Sequence, residues 1–350
     1  SDFLVVGALA EAEADAAGAS SPSDFFLQQA ITLSAQANES AATAALLKRI
    51  IGYPPWLGVS GTVTFLHSGA QGQAKEGSGW DCRQRAGRAT RHRMSDRSRL
   101  LSLRRPLVVG HRGAMGYFPE NTMLSFRKAV EMGADWIELD VHLSRDGRLV
   151  VIHDELLERT TNGRGPVGAR TFEELRALDA GGSMGSQYAG ERIPSLEEVL
   201  DWAREVGTFV DIEIKSGPVV YPGIERAVAA ALADARMTER AIVISFDHHA
   251  VLRVREADPG VATGVLYAAR PVDGVAMARA AGADALLPHW AYVREEDVRA
   301  AHAAGLAVAP WVTSDPAVAR RMFELGVDGI GSNHPDLIVP VAREFERSGG

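Results

Sequence analysis

Cysteine is almost absent: the 350-residue chain contains one, Cys82. A single thiol permits no intramolecular disulfide and no cysteine-cluster zinc site. No uninterrupted apolar run of the ~18 residues needed to cross a bilayer occurs, so no integral membrane span is expected. The chain also lacks positive charge in excess. Its 37 Lys and Arg stand against 45 Asp and Glu, a formal net charge of −8, and no basic stripe is visible. Nucleic acid is therefore not an expected partner. Hydrophobic residues make up 46% of the chain, enough to build a large core and to exclude a wholly disordered protein. No signal peptide is visible, so the expected location is cytoplasmic; a removed signal peptide is the alternative, since the first residue is Ser1.

Two parts of the chain differ in composition. Residues 1–93 carry eight basic and eight acidic side chains, so the whole net charge comes from residue 94 onward. The early part is rich in Ala, Ser and Gly, with one helical pattern over Phe25–Ile51, the apolar patch Tyr53-Pro-Pro-Trp-Leu and a basic tract over Arg83–Arg99. Such composition buries too little apolar area to offset chain entropy. The expectation is a low-complexity extension over residues 1–100, followed by one domain over 101–350; the alternative is a small helical accessory domain.

From residue 107 short β-branched runs alternate with Ala-rich amphipathic stretches. Strands are expected at Leu107–Gly110, Trp136–Val141, Thr208–Ile214, Ala241–Phe246, Ala262–Tyr267, Ala285–Leu287, Leu306–Trp311 and Gly329–Ser332. Helices are expected between them, such as Thr122–Met132 and Ser195–Val206, the latter opening with a Ser195/Glu198 capping box. Eight strands with intervening helices over ~240 residues predict an α/β fold, the (β/α)8 TIM barrel. A doubly wound sheet is the alternative, but the GxxxxGK[ST] loop that marks many such folds is missing. After the second strand, Asp146-Gly147 between two alternating runs predicts a protruding β-hairpin with a two-residue turn. That register opposes Asp140 to His153 and His142 to Val151, and gathers Glu138, Asp140, His142 and His153 on one face.

A barrel of this kind carries its active site at the C-terminal ends of the strands. Those ends bear His111-Arg112-Gly113, Glu138-Leu-Asp140, His153-Asp154, Glu213-Ile-Lys215, Phe246-Asp247-His248 and Trp311. Acids inside apolar strands cost several kcal/mol unless paired or metal-bound. Three carboxylates without cysteine suit a hard divalent cation, Mg²⁺ or Ca²⁺, better than zinc; the alternative is simple pairing with Lys215 and Arg112. His111 and His153 are the proton-transfer candidates. Arg112 and Lys215 suit an anionic substrate, although Arg112 could equally bridge to Glu120 or Asp140. Glu120-Asn121-Thr122 either caps a helix or adds Glu120 to the mouth, and Trp311 is either core or a pocket wall. His248, His249, His289, His302 and His334 are expected on the surface or in structural roles.

In this order the pieces resemble the glycerophosphodiester phosphodiesterase family: HRG at 111–113, PENT at 119–122, IELDVHLSRDGRLVVIHD at 137–154, TNG at 161–163, PSLEEVL at 194–200, IEIK at 212–215 and the late Trp311. Each piece is weak alone, and the ordered set over roughly residues 106–340 is specific. The resemblance implies a barrel that hydrolyses glycerophosphodiesters to sn-glycerol 3-phosphate and an alcohol with a divalent cation. It implies His111 and His153 as general acid and base, and Glu138, Asp140 and Glu213 as metal ligands. Arg112 and Lys215 would hold the phosphate, Glu120 would lie near metal or phosphate, and Trp311 would lie against the glycerol or alcohol. The match departs at Gly331-Ser-Asn-His-Pro-Asp336, where members often have Thr-Asp before the closing aromatic-Pro-Asp. Two other functions stay open: cleavage of a lysophospholipid or sphingolipid head group (lysophospholipase D-like or sphingomyelinase D-like), and a non-catalytic anion-binding barrel.

Overall fold

The computed structural model of the protein describes residues 106–348. The N-terminal extension, its helix over Phe25–Ile51 and the domain boundary near residue 100 lie outside the described residues. Strands β1 (Leu107–Gly110), β2 (Trp136–Leu143), β4 (Phe209–Ile214), β5 (Ala241–Ser245), β6 (Ala262–Tyr267), β7 (Ala285–Pro288), β8 (Ala307–Val308) and β9 (Gly329–Ser332) run parallel in the order β8-β7-β6-β5-β4-β2-β1-β9. Gly331 N–H donates to Pro310 O and Thr313 N–H to Gly331 O, both at 3.0 Å, and these bonds bring the two ends of the sheet together. The result is a nearly closed eight-stranded barrel with helices between the strands. Strand β8 is shorter than the expected Leu306–Trp311. Pro310 has no N–H to give a ladder, so pairing there reduces to single bonds.

Helix α1 (Met123–Glu131) follows β1 and is capped by the Thr122 hydroxyl, which accepts from Ser125 N–H at 3.2 Å. Helix α2 (Phe172–Arg176) is a short piece in the long segment after β2. Helix α3 (Leu196–Val206) begins with the expected Ser195/Glu198 capping box and stops at Gly207, whose φ of +79° favours glycine. Helices α4 (Ile224–Asp234), α5 (His248–Ala257), α6 (Gly274–Ala280), α7 (Glu295–Ala303), α8 (Pro316–Glu324) and α9 (Pro335–Arg347) complete the ring. None of the described helices is long and apolar enough to cross a membrane.

Strand alternation then divides the side chains. On β2 and β4 the residues Ile137, Leu139, Val141, Val210, Ile212 and Ile214 pack outward with helix residues such as Leu196, Leu200, Val228 and Leu232. Inside, a lower layer of Leu107, Val109, Trp136, Phe209, Ile242 and Ala262 fills the barrel, with the Trp136 and Phe209 rings stacked 5.0 Å apart. Another inner cluster, Ile244, Leu266, Leu287, Ala307 and Trp311, lies along β5 to β8. Glu138, Asp140, Asp211 and Glu213 are buried on the β2–β4 side. One half of the interior is thus apolar and the other half ionisable.

The expected hairpin is present, β2 pairing antiparallel with β3 (Leu149–Val151), but its register differs by one. His142 opposes Val150, not Val151, and Ile152 N–H donates to Asp140 O at 3.1 Å, so Asp140 does not face His153. The turn has three residues. Gly147 N–H donates to Ser144 O, Gly147 takes φ +76°, and the Ser144 hydroxyl bonds Asp146 Oδ1 at 2.6 Å while accepting from Arg148 N–H. This is a type I turn followed by a left-handed glycine, the three-residue alternative to the tighter turn. Farther on, Gly163-Arg-Gly-Pro-Val-Gly168 has GxGxxG spacing but runs from a loop into a single 3-10 turn, without the strand and helix a dinucleotide site needs.

Candidate active site

Glu138 and Asp140 lie on β2, and Glu213 sits beside Asp140 in the register of β4. Period-two alternation brings all three to the same wall of the barrel. A ligand oxygen from each lies within 4.8 Å of the others, and all three residues are buried. Oxygens sharing one hard cation at 2.0–2.6 Å are separated by up to about 5 Å, so the spacing fits. Glu138 Oε1 and Asp140 Oδ1 are buried without a hydrogen-bond partner. An orphaned Glu138 Oε1, and an Asp140 Oδ1 met only by Lys215 Nζ at 3.4 Å, are oxygens a divalent cation would satisfy, and they test the fit independently of the spacing.

Electrostatics point the same way. Burial, then the neighbouring Asp140 and Glu213 charges, pushes the Glu138 carboxyl well above its ordinary range. Asp211, beside Glu138 in the register of β4, is raised by burial and by the Glu213 and Asp140 charges. Burial also works upward on Asp140, but His153, Lys215 and Arg112 outweigh it and hold that carboxyl below its ordinary range. Lys215 Nζ lies 2.7 Å from Glu213 Oε1 and 3.4 Å from Asp140 Oδ1. Arg112 adopts φ +49°, donates its backbone N–H to Glu138 Oε2 at 2.8 Å, and places its guanidinium 2.9 Å from Glu120 Oε1 and 3.4 Å from Asp140 Oδ2. Both pairings considered for Arg112 are therefore made, and neither removes it from the site.

His111 follows β1. Its Nδ1–H donates to Asn333 Oδ1 at 2.7 Å, and its Nε2 lies 3.9 Å from Glu138 Oε2. Burial, followed by the Arg112 charge, pushes its pKa down to about 3, so the ring is neutral at pH 7. His153 pairs through Nδ1 with Asp154 Oδ1 at 2.6 Å. His142 does not join the carboxylates as a ligand. Its Nε2–H donates to the His153 carbonyl at 2.9 Å and its Nδ1 accepts from the Tyr221 hydroxyl at 3.0 Å, so it holds the backbone of His153. Glu120 lies at the mouth, gripped by Arg112 and by Arg159 at 2.7 and 2.9 Å. Trp311 donates its indole N–H to Leu287 O and meets Phe246 at 5.3 Å and His289 at 5.1 Å, both edge-on. Phe246 is 47% exposed, so these rings form a wall open to solvent on the apolar side.

Several residues escaped the sequence reading. Asn121, with φ +56°, donates through Nδ2 to Asp140 Oδ2 at 2.8 Å; only its neighbour Thr122 caps the helix. Asn333, in the Gly331–Asp336 stretch where the resemblance departs, accepts from His111 Nδ1–H at 2.7 Å. Asp154 was named only as the neighbour of His153 and not as its partner, and Arg159 and Tyr221 gave no signal. Among the other histidines, His248 bonds Leu266 O, His302 pairs with Asp328 and His334 bonds Ser314, all structural, while His289 belongs to the aromatic wall.

The family model for the glycerophosphoryl diester phosphodiesterase family matches residues 111–337. The chain belongs to this family. A glycerophosphodiester phosphodiesterase of Caldanaerobacter subterraneus subsp. tengcongensis is 42% identical over 238 residues, covering 68% of this chain and 98% of that protein. One of Bacillus subtilis is 35% identical over 272 residues, covering 72% and 91%. Among solved structures, an Oleispira antarctica phosphodiesterase in complex with the product sn-glycerol-3-phosphate is 30% identical with a TM-score of 0.62, covering 67% of this chain and 96% of that one. Family membership and the acidic cluster together fit a divalent cation.

Proposed function

We propose that the protein hydrolyses glycerophosphodiesters to sn-glycerol 3-phosphate and an alcohol, with Mg²⁺ or Ca²⁺ held by Glu138, Asp140 and Glu213 and with Glu120 at the edge of that site. The observation that carries the reading is the meeting, at one barrel mouth, of three buried carboxylates, two cations and two oriented imidazoles. The bound cation would supply positive charge against the phosphodiester oxygens. Arg112, whose fork suits an anionic oxygen pair, and Lys215, as a point charge, bind the phosphate and neutralise charge that builds on it. The neutral His111 has its Nδ1 proton fixed on Asn333, which leaves Nε2 able to accept a proton from the attacking hydroxyl. His153 carries the second proton. Trp311, with Phe246 and His289, offers an apolar wall to the carbon part of the substrate.

Water and the substrate's own glycerol 2-hydroxyl are both suited to attack, the second giving a cyclic phosphate. Glycerophosphocholine and lysophosphatidylcholine, assayed in parallel with product head group measured, test the substrate class. Release of sn-glycerol 3-phosphate from the first, lost in EDTA and restored by Mg²⁺ or Ca²⁺, is expected. Preference for the lysophospholipid would move the assignment to a lipid head-group phosphodiesterase, and binding without turnover to an anion-binding barrel.

A further inference from the structure

Asp211 faces into the barrel and has no part in the chemistry proposed above. It is 6% exposed, and its Oδ1 has no hydrogen-bond partner. Its β4 neighbours Val210 and Ile212 pack outward, so alternation turns Asp211 inward, between Phe209 of the apolar layer and Glu213. The pairing of β2 with β4 sets Asp211 beside Glu138, just as it sets Glu213 beside Asp140. Asp211 is nevertheless outside the set of three acids whose ligand oxygens lie within 4.8 Å of one another.

The cations nearby are committed elsewhere. Lys215 meets Glu213 and Asp140, and Arg112 meets Asp140 and Glu120. At the rim Arg159 ties Glu120 to Asp154, so that pair has a cation of its own. On the inner wall Glu138, Asp140, Asp211 and Glu213 therefore stand against Arg112 and Lys215 alone, and the excess is two negative charges. Without Asp211 the excess would be one. A buried carboxylate with no partner is costly unless compensating charge enters, and an excess of two is what a doubly charged ion neutralises.

We propose that Asp211 is the charge-setting residue of the cation site: it does not ligate the ion, and its carboxylate strengthens the hold of the other three acids on a divalent cation. This inference rests on the cation-dependent reading above. The energy between a fixed charge and an ion grows linearly with the charge of the ion. Removing the Asp211 charge should therefore weaken a trivalent ion more than a divalent one of similar size, a scaling that a merely structural role does not produce.

Isothermal titration calorimetry of the full chain with Ca²⁺ and with Tb³⁺ tests this, comparing wild type with Asp211→Asn, which keeps the shape and removes the charge. One ion per chain is expected in both proteins. The Kd for Ca²⁺ should rise about 10- to 100-fold, the scale for groups just outside a ligand shell. The Kd for Tb³⁺ should rise by about 1.5 times as many powers of ten, roughly 30- to 1,000-fold. Should Asp211→Asn melt early, Asp211→Ser, equally neutral and smaller, carries the comparison. Unchanged affinities, or equal fold-losses for the two ions, would overturn the proposal while leaving the three-carboxylate site intact. A second ion bound by the wild type and lost in the variant would make Asp211 a ligand, which also overturns it. A wild type that binds neither ion rejects the cation reading and the proposal with it, whereas release of sn-glycerol 3-phosphate from glycerophosphocholine reports on the phosphodiesterase reading separately.

Discussion

The backbone N–H of Arg112 donates to Glu138 Oε2 at 2.8 Å, joining the residue after His111 to the acid at the centre of the carboxylate cluster. One oxygen of Glu138 is thereby held by the chain, and the other, Oε1, has no hydrogen-bond partner. Carboxylate repulsion is tolerable with a cation and costly without one.

Glu138→Gln should therefore act in opposite senses on two observables. Without divalent cation it relieves like-charge crowding, and unfolding temperature should rise by about 2–4 °C, the effect of ~1 kcal/mol in a domain of this size. The further rise that Mg²⁺ or Ca²⁺ gives the wild type should vanish. Differential scanning calorimetry in EDTA and in each metal reads both, and an unchanged metal response would contradict the assignment of Glu138.

His111→Ala and His153→Ala should each lower kcat by roughly 100- to 10,000-fold, the usual contribution of a positioned acid or base. The double variant should lose less than the product of the two, since both act in one step. Far-ultraviolet circular dichroism should remain that of the wild type. Wild-type-like turnover in either single variant would remove that histidine from the mechanism.

Gly113 has φ +84°, and a Cβ there would come within 2.4 Å of Ser125 Oγ and 2.5 Å of the Ser125 carbonyl carbon. Gly113→Ala combines left-handed strain with a backbone clash, so the His111–Gly113 turn must shift. A loss of at least ~1 kcal/mol in urea unfolding and a fall in kcat are expected together. A fully active, equally stable Gly113→Ala protein would show that the turn does not position the site.

The Arg159 tie predicts a pH-dependent stability. Burial works upward on Glu120 and Asp154, but for Asp154 the His153 and Arg159 bonds outweigh it, and for Glu120 the Arg159 and Arg112 contacts do; both carboxyls sit below their ordinary range. Acids lowered on folding contribute stability that is complete above their unfolded pKa of about 4 and is lost as pH falls through their folded values. Arg159→Gln should thus cost about 1 kcal/mol at pH 7, the scale for a half-exposed ion-pair network, with the difference from wild type shrinking toward pH 3. Urea titrations across that range check the sign; a difference that grows on acidification would be the wrong one.

Most barrel strands were legible because apolar β-branched runs buried on both faces have few alternatives, and β1, β6 and β9 occur with the expected bounds. The clustered carboxylates were legible for the converse reason: an acid in such a run is costly unless it is paired or metal-bound. The hairpin register was not, because the choice between a two- and a three-residue turn depends on Ser144 bonding Asp146 and Arg148. Partners distant in sequence were also hidden. Asn333 reaches His111 across 222 positions, and Arg159 reaches Glu120 across 39, and nothing local in either segment announces the meeting.

The convergence itself is tested most directly by a crystal structure of the protein with Mn²⁺ and sn-glycerol 3-phosphate, using anomalous scattering to locate the metal. The account predicts an anomalous peak coordinated by Glu138, Asp140 and Glu213, with the phosphate against Arg112 and Lys215 and between His111 and His153. A metal bound elsewhere with these three carboxylates unengaged, or a phosphate seated away from both histidines, would contradict it.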